Sequence, residues 1–240
     1  KKEERENKTN MTPTAQLRAI MPVASELQEH CDKTLSKLFS HLREYGYDKV
    51  DFARLSKEED HFWKKYFLSE LYPVLSPQII DRRHPFPFLR NLETYVGARV
   101  KEKDSNTEAF GLIPISSQFE RLIFMKFNGV TRFAVVEELV EHFAHLAFGR
   151  YAVAESCIFR VTRNADINLQ EAMQDQDLDY REVMSELLKK RRKLAAVRLQ
   201  ITPKASDEIL DFLCRKLLLD RRQSFRQSAP LSMSFARPLA

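Results

Sequence analysis

Glu138, His142 and His145 fall at i, i+4 and i+7, so a helix would carry all three toward one metal ion. The zinc-protease pattern HExxH is absent. Val136, Leu139, Val140 and Phe143 around them fit equally well an amphipathic helix whose solvated side holds the Glu and His residues. A second group is cationic. The run Lys189-Lys190-Arg191-Arg192-Lys193 ends a predicted helix, where positive charge complements the carbonyl end of the dipole, and it could equally touch a phosphate backbone. A third group is FRVTRNAD (159–166), which puts Arg160, Arg163, Asn164 and Asp166 where a predicted strand runs into a turn. Arginine and aspartate this close can pair as a structural latch, or the arginine forks can grip phosphate. Arg82, Arg83 and His84, beside Pro85-Phe86-Pro87-Phe88, carry the same two readings. His30, His41 and His61 fall on predicted helices without a Ser, Cys or Asp arrangement, so no catalytic dyad emerges.

The elements that must position these groups begin after a polar stretch, residues 1–10, that reads as a linker. Thr12 as N-cap and Pro13 at the first position open a helix over 13–45, stopped by Gly46. Its apolar stripe is narrow and needs partners, and Pro22 should bend its early part. Val50–Leu55 reads as a short extended connection. Ser56 and Glu59 form a capping box for a helix through Leu71 that Pro73 ends, and four prolines make 73–91 extended and irregular. Strands are predicted at 92–101, 109–115, 122–127, 131–135, 152–162 and 197–202, with a last one at 224–227 and an Asn128-Gly129 hairpin turn. Helices are predicted at 136–148, 178–194 and 206–219. Hairpins interrupting an irregular alternation of strand and helix argue for an α+β fold with a mixed sheet and packed helices.

Composition narrows the chemistry. The 240 residues hold 39 Lys and Arg against 34 Asp and Glu, a formal charge of +5 that permits an anionic partner without demanding one. The five glycines are scattered, so neither GxGxxG nor a Walker loop can be written. Cys31, Cys157 and Cys214 form no CxxC pair, which disfavours a disulfide framework or a cysteine zinc site and fits a reducing cytoplasm. No apolar run approaches the ~20 residues of a membrane span, and the first residues, which begin on Lys1, lack the apolar core of a signal peptide.

Four segments together resemble the bacterial polyphosphate kinases that phosphorylate themselves on histidine: MTPTAQLRAIMPVASEL (11–27), YFLSELYPVLSPQIIDRRHPFPFLRNLETYVGARV (66–100), FRVTRNAD (159–166) and ELLKKRRKLAAVRLQI (186–201). PFPFLxN, xVTRNAD and xRRxxxAVRL in this order are the specific part, and the likeness covers nearly the whole chain. The turn at Leu194-Ala195-Ala196 departs from it, lacking an expected glycine.

The resemblance implies a parent enzyme that moves the terminal phosphate of ATP reversibly onto polyphosphate with magnesium. Its phosphorylated histidine and most of its nucleotide-binding residues lie on C-terminal domains that would follow Ala240. Residues 1–46 would be a linker and the last helix of an N-terminal helical bundle, and 47–240 the middle, or head, domain. This piece would carry no catalytic, cofactor or metal site of its own. It would be inactive alone, join a homo-oligomer through the head, and shape the polyphosphate tunnel in a protein that is cytoplasmic or peripheral to a membrane. Arg160, Arg163, Asp166, Arg82 and Arg83 are its candidate polyphosphate or latch contacts. A different class of function is a free-standing basic module that binds nucleic acid or another polyanion through Arg160, Arg163 and the 189–193 run.

Overall fold

The computed structural model describes residues 10–105, 107–164 and 194–239. The predicted helix 178–194 lies almost wholly outside them.

Helix α1 spans Pro13–Glu44, and the Thr12 hydroxyl accepts from the Ala15 amide at 3.2 Å as its N-cap. Gly46, at φ +80°, reverses the chain into a three-residue strand, β1 (Tyr47–Lys49). That strand was not expected, because three residues carry no readable periodicity. It pairs in parallel with β6 (Val130–Val135), which pairs antiparallel with β5 (Leu122–Phe127). Asn128 and Gly129 join β5 to β6 with φ of +48° and +81°, the two left-handed residues that a tight primed hairpin turn requires. The small sheet gives the end of α1 its partner: Leu35, Phe39 and Leu42 pack on Leu122, Phe133, Val135 and Phe235. A stripe that needs partners suggests burial only against helices outside this chain or another subunit, and for this half of α1 the small sheet of the same chain supplies them instead. In the N-terminal half Leu17, Ile20, Val23 and Leu27 are exposed.

Among the described residues the larger sheet has six strands in the order β2-β4-β3-β7-β8-β9. They are β2 (Gln78–Ile80), β3 (Thr94–Glu102), β4 (Glu108–Ile115), β7 (Tyr151–Arg163), β8 (Ala196–Ile201) and β9 (Ser224–Arg226). Only the β8–β9 pair is parallel in this sheet, which makes it mixed, as the irregular alternation predicts. In sequence, the strand predicted at 92–101 sets Leu92, Thr94, Val96, Ala98 and Val100 in alternation with Glu93, Tyr95, Gly97, Arg99 and Lys101, the pattern of a strand with one polar face, and in the fold this is β3. It is central, and both of its faces are covered. Val96, Ala98 and Val100 join one core with Ile113, Ile115 and Ile158, while Tyr95 joins Phe110, Phe159, Leu199 and Ile201 in another.

Helix α2 (Lys57–Tyr66) carries the Ser56/Glu59 capping box and runs on as a π turn (Phe67–Leu71) and a 3-10 turn (Tyr72–Val74), so Pro73 sits inside the closing turn. It buries Trp63 and Phe67 in the first core. The helix expected at 136–148 is broken into α3 (Val136–His142) and α4 (Ala144–Ala147) at Phe143, which turns inward to within 5.5 Å of the Phe67 ring centre. Helix α5 (Asp207–Leu217) covers the second core with Ile209, Leu210, Leu213 and Leu217. Its N-cap Ser206 is itself held, its amide and hydroxyl donating to Glu155 of β7 at 2.5 and 2.8 Å.

Gly111 in β4 faces the Phe148 ring so closely that a β-carbon would lie 2.5 Å from it. Gly111→Ala should therefore lower stability by about 1–3 kcal/mol through overpacking. Adding Phe148→Leu should restore part of the loss in urea unfolding, and a double variant no better than Gly111→Ala would refute the contact as the cause.

Candidate functional site

Helix α3 does not assemble the Glu138, His142 and His145 trio as a metal centre. Glu138 accepts from Lys49 Nζ at 2.6 Å, and His142 stacks on Phe52 with ring centres 5.0 Å apart and faces Asp60 at 3.9 Å. Burial lowers the His142 pKa, against the pull of Asp60. His145 turns to the carbonyl of His142. Among the described residues no three His, Cys, Asp or Glu side chains are placed to hold a metal ion.

The arginines of FRVTRNAD are gathered by the register of β7. Arg163 reaches back across the sheet edge, where Nε donates to the Leu89 carbonyl and Nη1 to the Leu194 carbonyl, each at 2.7 Å. Its amide donates to Asn91 Oδ1 at 2.8 Å, and the guanidinium lies 4.1 Å from the Phe88 ring centre. One side chain thus ties the PFPFLRN segment and the entry to β8 onto the end of β7. Arg160 does the same three residues earlier, donating from Nε to the Leu92 carbonyl (2.8 Å) and from Nη1 to the Leu231 carbonyl (3.0 Å). Burial lowers the pKa of both arginines, and for Arg160 the nearby Arg121 and Arg198 add to it. Asp166 and the 189–193 run lie outside the described residues.

Arg82 and Arg83 are exposed in a turn that Asp81 organises, its carboxylate accepting from the Arg83 and His84 amides at 2.8 Å. Those two bonds, with the His84 ring, hold the Asp81 carboxyl below its ordinary range. The turn is not brought to Arg163. Ile80 pairs with Phe110, Phe110 with Arg99 and Arg99 with Glu155, eight residues short of Arg163 on β7, or about 26 Å at ~3.3 Å per residue.

Beside Arg160 runs a half-buried polar belt that the sequence did not announce. Arg121 donates to Glu137 Oε1 at 2.5 Å, Arg198 donates to Gln28 Oε1 at 3.1 Å while lying over Phe225, and Gln200 donates to Gln227 at 2.7 Å. Burial pushes the Glu137 carboxyl up to about 7, although Arg121 pulls it down. Asp32 of α1 closes the belt by accepting from the Ser228 and Ala229 amides at 2.8 and 3.1 Å. A cavity of about 920 Å³ between α1, α3 and the 202–204 and 228–231 segments has Asp48, Asp51, Glu137, Glu138 and Glu141 in its lining against Arg43, Lys49 and Lys204. That balance is wrong for a polyanion.

A family model described as the polyphosphate kinase middle domain matches residues 58–239. The chain is 32% identical over 236 residues to a polyphosphate kinase of Bacillus anthracis, with 95% of this chain and 33% of the relative covered. It is 30% identical to one of Campylobacter jejuni, covering 93% and 31%. The fold is similar to the crystal structure of polyphosphate kinase from Porphyromonas gingivalis, with a TM-score of 0.68 at 19% identity over 89% of this chain and 30% of that one. The chain therefore spans about a third of the length of these relatives. With its residues 58–239 matched as a middle domain and its architecture shared with a solved member, the chain belongs to the polyphosphate kinase family.

Proposed function

We propose that this chain is the head portion of an enzyme that transfers the terminal phosphate of ATP reversibly to polyphosphate through a phosphohistidine held on domains outside it. Residues 47–240 form the head and α1 is the last helix of a preceding bundle. The exposed Leu17, Ile20, Val23 and Leu27 supply the surface on which other helices of that bundle would pack. ATP and magnesium are bound by the other domains, while the head contributes to a homo-oligomer and to the wall of the polyphosphate path. The match of residues 58–239 to the family's middle domain carries this reading. The arginines of FRVTRNAD, which give Nε and Nη1 to main-chain carbonyls, also support it. None of the described helices is long and apolar enough to cross a membrane.

The 240-residue chain incubated with ATP and magnesium should make no polyphosphate and acquire no acid-labile phosphohistidine. Radiolabel retained on one of its six histidines would overturn the division of labour.

A further inference from the structure

Strand β5 is an outer strand of the small sheet, and among the described residues no further strand pairs with it. Its hairpin decides which main-chain groups are left over. A two-residue primed turn is closed by a pair that exchanges both hydrogen bonds, here Phe127 with Val130. By the same alternation Met125 and Ile123 bond inward to β6, while the N–H and C=O of Leu122, Phe124 and Lys126 point outward. The residues opposite on β6 agree: Thr131 donates to the Gly46 carbonyl at 2.9 Å and Phe133 accepts from the Val50 amide at 2.8 Å, both away from β5. Leu122 is buried, whereas Phe124 and Lys126 are exposed. An exposed edge with neither proline nor a break in register is a template for another strand.

A second feature lies on the same side. Helix α1 sets Phe39 against Phe133, with ring centres 5.8 Å apart, and turns Arg43 toward β1, where it pairs with Asp48 at 2.6 Å. Ser40 lines the cavity on that flank with Asp48 and Lys49. At about 100° per residue, Leu38 stands on the other flank of Phe39, toward β5, with Tyr45 in line with it. Both are exposed, Tyr45 by 77%. Phe124 is the cross-strand partner of Phe133 and so rises on the α1 face of the sheet. The free edge is therefore bordered by an apolar ledge of Leu38, Tyr45 and Phe124.

An extended peptide would fill the hydrogen bonds and leave Leu38 and Tyr45 bare. A second copy, related by a two-fold axis through Met125 and normal to the sheet, answers both. Phe124 then exchanges hydrogen bonds with Lys126 of the second copy, and Lys126 with its Phe124, each ammonium lying beside an aromatic ring. Moving the axis to Lys126 would set lysine against lysine, and moving it to Phe124 would call on the buried Leu122. The same axis turns the Leu38 and Tyr45 flank of each α1 toward the other. We propose that β5 is a dimer edge, to which a second copy of this chain adds its own β5 antiparallel about Met125. This names the contact by which the head enters a homo-oligomer, and to that extent it rests on the function proposed above.

The test is sedimentation equilibrium of the 240-residue chain across the micromolar range, with circular dichroism to check that each variant is folded. Phe124→Lys places like charges opposite each other and should weaken the dimer by about tenfold or more, whereas adding Lys126→Glu makes the facing charges opposite and should return it to within about threefold of the native chain. Lys126→Pro removes an outward N–H and spares the pairing with β6, so it should also weaken the dimer by about tenfold. If Phe124→Lys does not fold, Lys126→Pro decides. Dimers of unchanged affinity in the folded variants would keep the homo-oligomer and overturn β5 as its contact. A chain that is monomeric throughout overturns the proposal and leaves the edge to a strand of a different protein. A variant-sensitive dimer that also acquires phosphohistidine would keep the interface and overturn the function proposed above.

Discussion

Arg163→Ala is expected to lower the melting temperature by roughly 6–12 °C. The substitution removes two charge-assisted hydrogen bonds to the carbonyls of Leu89 and Leu194 and the stacking on Phe88. Hydrogen bonds to a charged donor contribute about 1.5–3 kcal/mol each, and each carbonyl left without a donor adds cost where water cannot reach it. A net loss of about 3 kcal/mol, at ~2–4 °C per kcal/mol for a chain of this size, gives that range. Arg163→Lys should recover only part of it, because an ammonium cannot reproduce the planar fork that spans two carbonyls. Polyphosphate affinity and its salt dependence, measured on molecules that remain folded, should be unaffected. A variant of unchanged melting temperature whose polyphosphate binding is weaker and less salt-sensitive would show instead that Arg163 grips phosphate.

The second large effect is a pH dependence. Burial raises the Glu137 carboxyl from the ordinary 4.5 to about 7 in the folded chain. Between those values the folded state holds a proton that the unfolded state has released, so stability falls as pH rises. The contribution is fully present below about pH 4.5 and is lost as pH climbs through 7, a change of about 3 kcal/mol for this one group. Glu141, also raised chiefly by burial, acts in the same direction. Melting temperatures at pH 5, 6, 7 and 8 should therefore decline more steeply in the native chain than in Glu137→Gln, which keeps an acceptor for Arg121 but cannot titrate. Parallel slopes for the two proteins would exclude Glu137 as the source.

Local chemistry made much of the fold readable. Thr12, Ser56 with Glu59, and Ser206 each cap a helix from within three residues, and Asn128-Gly129 can hardly do other than turn. What stayed hidden is decided at a distance. Tyr47–Lys49 becomes a strand only because Val130–Val135 lies alongside it, and the break at Phe143 answers to Phe67 on another helix. The sequence brought Arg160 and Arg163 to notice with two possible uses, yet their acceptors, at Leu89, Leu92, Leu194 and Leu231, are backbone carbonyls that no side-chain pattern announces. Arg121 escaped notice because it is unremarkable in its own segment, and only packing sets it against Glu137.

The bonds from Asp32 to the amides of Ser228 and Ala229, with Phe39 and Phe235 in one cluster, join the first helix to the last segment of the fold. During synthesis those partners are separated by about 200 residues, or roughly 10–40 s at typical elongation rates. Leu35, Phe39 and Leu42 gain Leu122, Phe133 and Val135 about halfway through that interval, but Phe235 and the two amides arrive only at its end. The chain must keep this partly covered helix from adhering to neighbouring nascent chains until residues 228–235 have been made.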